Sequence, residues 1–136
     1  MKYFDSVRLD LPYAQALSRV RDALKEQGFG IITEIDMRAT MQEKLGEEIE
    51  DYVILGACNP GLAFRALGVD RSLGLLLPCN VVVRADGEGS VVEMLDPQTM
   101  VDIPEREDLR PVANEAGTLL SAALASLSAS GSTAPA

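Results

Sequence analysis

The sequence predicts one small domain in which α-helices back a β-sheet, and three observations carry that prediction. Its 136 residues are about the usual length of one domain. Hydrophobic residues make up 47% of it, enough to bury a core without metal or disulfide staples. Aromatic residues are only 4% and Trp is absent, so that core must be aliphatic, which suits a sheet covered by helices.

The elements follow in order. Lys2 to Asp10 carries a mixed alternating pattern and reads as a first strand. Pro12 suits a first helical turn, where its missing N–H is not needed. The helix is expected to reach about Gln27, with Tyr13, Leu17, Val20 and Leu24 inward and Gly28 as its stop. Phe29 to Ile35 is the second strand. Asp36 can cap a short helix that places Met37, Met41 and Leu45 at i, i+4 and i+8 and ends at Gly46. Glu47 to Asp51 reads as a solvated acidic loop.

Tyr52 to Cys58 is a third strand, apolar enough to be central. Asn59 and Pro60 have the residue types of an N-cap and first helical position, and open a helix through Leu67. Gly74 to Val83 reads as a strand pair or one bent strand, with a break at Pro78. Asp86-Gly87-Glu88-Gly89 is a hairpin turn, and Ser90 to Leu95 returns as the last strand. Asp96-Pro97 turns the chain. A closing helix from about Arg110 to Leu127 turns Leu119, Leu120, Ala123 and Leu127 inward. Residues 1–127 are therefore expected to form a single domain, and 128–136, small and polar, a disordered tail.

Charge and composition exclude several functions. With 21 acids against 12 bases, a net charge of −9 and no basic run, backbone neutralisation of nucleic acid and docking on anionic membranes are not expected. The absence of His removes the usual general base, a Ser-His-Asp triad and any His-containing zinc site. No stretch approaches the roughly 18 apolar residues of a membrane span. The start of the chain lacks the apolar core of a signal peptide, and two cysteines then read as reduced thiols, so a cytoplasmic protein is expected.

What remains is a repeated dipeptide, Cys58-Asn59 and Cys79-Asn80, each after an apolar run. Cys58 would stand just before a helix N-terminus, whose free N–H groups favour a thiolate. Its simpler role is that of a small buried hydrophobe. If their strands are neighbours, Cys58 and Cys79 could form a redox pair or hold a thiophilic metal. Their spacing matches neither a CxxC motif nor a zinc ribbon, and two thiols are half a tetrahedral site. Asn59 and Asn80 are more simply loop-fixing amides. Glu34 and Asp36 share one face of a strand, and paired carboxylates can divide acid and base roles. A helix cap for Asp36 and an exposed strand end for Glu34 are the simpler explanation.

The chain also resembles the bacterial and archaeal family called domain of unknown function 302, over roughly residues 3 to 125. The resemblance is carried by Gly28-Phe29-Gly30 leading to Thr33-Glu34-Ile35-Asp36, by Lys44-Leu45-Gly46, and by Tyr52 to Pro60 (YVILGACNP). Ala66-Leu67, Gly74 to Val83 (GLLLPCNVVV) and Asp96-Pro97 complete it. Both Cys-Asn pairs fall on the family's motif, as do Glu34, Asp36 and Lys44. The resemblance implies an α+β, TBP-like fold, an antiparallel sheet packed by helices in the order β-α-β-α-β-α-β-β-α, usually as a homodimer. It implies neither an activity nor a cofactor. A TBP-like fold does not bring DNA binding with it.

Two functions follow as expectations. The first is a dimeric, non-enzymatic module that binds a small-molecule ligand between sheet and helices or engages a partner. The second is a thiol protein, redox or metal-handling, that uses Cys58 and Cys79. A hydrolase or isomerase built on Glu34 and Asp36 ranks last, since no nucleophile stands beside a base.

Overall fold

The structure, a computed structural model, describes residues 2–131, with side chains described to residue 128. Five strands, β1 (Phe4–Leu9), β2 (Gly30–Asp36), β3 (Tyr52–Cys58), β4 (Cys79–Asp86) and β5 (Gly89–Leu95), form one sheet in the order β1-β5-β4-β3-β2. Every neighbouring pair is antiparallel. With its helices the architecture is α+β. The apolar run 52–58 is an interior strand as expected, but the middle of the sheet is β4.

Period-2 alternation sorts the strand residues onto two faces. Val53, Leu55 and Ala57 of β3, Cys79, Val81 and Val83 of β4, and Val92 and Met94 of β5 face inward and are buried. Two helices, α1 (Tyr13–Glu26) and α5 (Arg110–Gly131), pack against each other and join this face in one cluster. The buried stripe of α1 is Ala16, Val20, Ala23 and Leu24; Tyr13 and Leu17, expected inward, lie at its half-buried margin. Small Ala16 and Ala23 let the helix lie close to the sheet. Gly28, at φ +85°, ends α1 as expected, and the Phe29 N–H donates to the Leu24 carbonyl.

A second cluster fills the end of the sheet. There α3 (Pro60–Val69), a 3-10 helix (Arg71–Leu76), the short α4 (Thr99–Asp102), a 3-10 turn (Glu107–Leu109) and the first half of α5 enclose Leu62, Ala66, Leu73, Met100 and Val112. This corrects the expected strand over Gly74 to Leu77. The Asp70 carboxylate caps that 3-10 helix at the Ser72 N–H, 2.9 Å away, and Leu73 is driven into the second cluster. The break at Pro78 stands, because β4 begins only at Cys79. Neither α4 nor the 3-10 turn over Glu107–Leu109 was expected.

The remaining helix, α2 (Met37–Leu45), is bounded as expected. Asp36 accepts the Ala39 N–H at 2.9 Å, and Gly46 closes the helix at φ +66°. Its apolar spacing misleads, however. No residue of α2 is buried, and Leu45 is 68% exposed, because α2 lies chiefly against β2 and β3 at the margin of the sheet. At the other end of the chain, α5 continues past Leu127 to Gly131. The rest of the expected tail, residues 132–136, lies outside the described residues.

Candidate functional site

The expected site residues divide into three places. Cys58 and Cys79 do come together. The Cα partner of Cys79 across the sheet is Ala57, the residue before Cys58, and both cysteines line one small cavity beneath α3. Its free volume is about 20 Å³, and apolar groups of Phe29, Leu62, Ala66 and Met100 make up most of the wall. That is room for about one water-sized atom, so no small-molecule ligand fits at this point between sheet and helices.

The two thiols differ. Cys58 is half-buried, whereas Cys79 is buried. Burial, with a smaller contribution from the neighbouring Cys58, pushes the Cys79 thiol up to about 11. At neutral pH it is a protonated, poorly nucleophilic group. No disulfide joins them.

Asn59 is the N-cap of α3. Its side-chain oxygen accepts the Leu62 N–H at 3.2 Å, and Pro60 fills the first helical position, as the residue types foretold. Its amide nitrogen lies over Gly28, 3.2 Å from where a Cβ there would stand. The side chain thus sits between the start of α3 and the end of α1. Asn59→Ala is expected to lower the unfolding free energy by about 1 kcal/mol, with Asn59→Ser retaining most of it, in urea denaturation.

Asn80 stands apart from the thiols. It lies opposite Gly56, exposed on the sheet face turned away from α1 and α5. Glu34 and Asp36 share one face, as their spacing requires, but on the edge strand β2. Glu34 pairs with Leu55, three residues back from Cys58, roughly 10 Å along the strand. Glu34 forms an ion pair with Arg21, and Asp36 is engaged as the cap of α2. Both, with Asp51, surround Tyr13, whose phenol is pushed above its ordinary value, mainly by burial and then by these acids. Lys44 is exposed on α2.

Two neighbours escaped the sequence reading. Met100, on α4, reaches the cysteine cavity from a stretch with no periodic pattern to announce it. Tyr13 meets the carboxylates only through tertiary packing. Among the described residues, no three His, Cys, Asp or Glu side chains cluster as a metal site. Among those residues, too, no helix is long and apolar enough to cross a membrane.

Comparison with known proteins agrees with this architecture. No curated protein matches the chain. A solved structure described as an uncharacterized conserved protein DUF302 from Bacillus stearothermophilus superposes with a TM-score of 0.84 at 27% sequence identity. The superposition covers 92% of this chain and 98% of that one. The family model described as domain of unknown function DUF302 matches residues 5–127, a span that holds both Cys-Asn pairs, Glu34 and Asp36. The chain belongs to the DUF302 family.

Proposed function

We propose that residues 1–127 form one non-enzymatic interaction module that works as a homodimer, paired through the sheet face that α1 and α5 leave uncovered. The observation that carries this reading is the composition of that face. Register and alternation place Phe4 and Leu95, Ile35 and Ile54, Val82, Val91 and Tyr52 on it. No member of either buried cluster lies there.

Its charges are balanced. Arg84 pairs with Glu93 at 3.3 Å and Arg8 with Asp86 at 3.5 Å, so the face is close to neutral although the chain carries −9. A second copy can meet it without like-charge repulsion at the contact. Tyr3, Leu75 and Ile103, respectively 59%, 88% and 63% exposed, extend the apolar surface at one end beside Asn80. Five strands about 4.8 Å apart and roughly 20 Å long give about 500 Å² in projection. With this rim the surface approaches the roughly 800 Å² per partner of a standard interface.

Light scattering after size exclusion tests the reading. The natural chain is expected at twice the chain mass, and Ile54→Lys with Val82→Glu at the single-chain mass with unchanged circular dichroism. A natural chain that stays monomeric at high micromolar concentration would sink it.

A second reading, a thiol protein, is favoured by the shared cavity of Cys58 and Cys79. The raised Cys79 thiol weighs against its redox form, because attack on a disulfide needs a thiolate. Metal handling has no such requirement before binding, since the metal itself displaces the protons. Small-molecule binding fits better in an open groove of about 570 Å³ beside α5, where Asp5, Asp96, Asn114 and Ser121 supply polar groups. The cytoplasm is the compartment in which these thiols would stay reduced.

A further inference from the structure

We propose that the cavity beneath α3 is a binding site for a single soft monovalent cation, Cu(I), with the sulfurs of Cys58, Cys79 and Met100 as its donors. The proposal rests on the thiol reading and gives it a substrate class. All three sulfur-bearing residues line the same cavity, brought there by three different elements: the end of β3, the start of β4 and α4. Its free volume of about 20 Å³ admits one ion and little else.

Donor chemistry decides which ion. Thiolates and a thioether select Cu(I), which accepts two or three ligands. Zinc asks for four donors, and hard cations ask for oxygen. Here no carboxylate lines the cavity, and the chain has no His. An apolar wall shields the ion from water.

Binding balances without electron transfer. Each cysteine loses its S–H proton to solvent and forms a Cu–S bond, Met100 adds a dative bond, and copper stays Cu(I). The site then carries one net negative charge. It sits at the N-terminus of the ten-residue α3, where the helix dipole favours an anion. Cys58, half-buried, is the sulfur an arriving ion meets first, and Cys79 and Met100, both buried, complete the shell.

The test loads the full chain anaerobically with Cu(I) in competition with a colorimetric Cu(I) chelator. One equivalent should be retained. Cys58→Ser and Cys79→Ala should each weaken retention by at least ~100-fold, more than loss of a partner outside the first shell usually does. Met100→Leu, which keeps volume and fold, should weaken it by about 10-fold. X-ray absorption should show sulfur alone, with one scatterer fewer in Met100→Leu.

Equal retention by the natural chain and Cys58→Ser, or oxygen and nitrogen scatterers, overturns the proposal. An unchanged sulfur shell in Met100→Leu overturns the three-sulfur site. Native-state titration with an aromatic disulfide separates this proposal from the thiol reading beneath it. If the thiols react but copper passes to the chelator, the copper site falls and the thiol reading survives. If neither happens, both fall.

Discussion

Gly56→Val is expected to cost the fold more than about 3 kcal/mol, a large share of the roughly 5–15 kcal/mol by which a domain is stable. A Cβ at Gly56 would run into Thr33 Oγ1 and come within 2.7 Å of Pro78 Cγ. Thr33 pairs with Gly56 from β2, while Pro78 leads into β4, so both sides of β3 close over this position. Thr33 can turn its hydroxyl away, but the proline ring cannot. Gly56→Ala should therefore cost about 2 kcal/mol. Combining it with Thr33→Ala should recover part of that loss, a coupling that a double-mutant cycle in urea would measure. Additive losses in the cycle would show that Thr33 is not what the new methyl meets.

Raising the pH should destabilise the protein through Cys79. The ordinary thiol value is 9.0, and in the fold it is raised to about 11. Below about pH 9 both states are protonated and the residue contributes no pH dependence. Between about 9 and 11 the unfolded chain loses its proton while the folded chain keeps it, so the unfolded state binds fewer protons and stability falls. Two units correspond to roughly 2.7 kcal/mol at most. Denaturation midpoints across this window should decline in the natural chain and flatten in Cys79→Ala. Equal slopes in both would mean that solvent reaches Cys79 in the folded state.

The two predictions probe the same corner of the molecule. Gly56 and Cys79 lie on opposite faces of the β3–β4 pair, one residue apart in register. Close approach of Thr33 and Pro78 above one face and burial of Cys79 beneath the other both require these strands to be held tightly. On the uncovered face the same strands carry Ile54 and Val82, through which the proposed homodimer would pair. A variant that loosens Gly56 should therefore weaken self-association as well as stability.

Much of this was legible in the chain itself. Caps are local devices, so Asp36, Asn59-Pro60, Gly28 and Gly46 marked helix ends that the structure repeats. Strand β3 could be bounded from Tyr52 to Cys58 because its apolar run stops at a capping residue. The hairpin at Gly87 was equally plain, since φ +61° there suits glycine. Where the reading failed, the signal was periodicity without knowledge of a partner. Met37, Met41 and Leu45 make an apolar stripe, yet Met37 and Met41 are only half-buried and Leu45 is exposed. Leu75 to Leu77 look like strand, yet Asp70 and Leu73 wind the preceding residues into a 3-10 helix.

By itself, then, the sequence determined the five strands, the longer helices and several of their caps, the aliphatic core and the acidic charge that argues against nucleic acid. All of these depend on neighbours within a few residues or on composition alone. Only the tertiary structure decided that Cys58 and Cys79 share a cavity, that Met100 joins them, and that Glu34 and Asp36 stand elsewhere. The three sulfur-bearing residues are 21 residues or more apart along the chain, and the antiparallel register of β3 with β4 brings the two cysteines to the same end of the sheet. A one-residue slip in that register would turn every side chain of one strand to the other face, and what forbids it is burial of one face beneath α1 and α5, which no single segment displays.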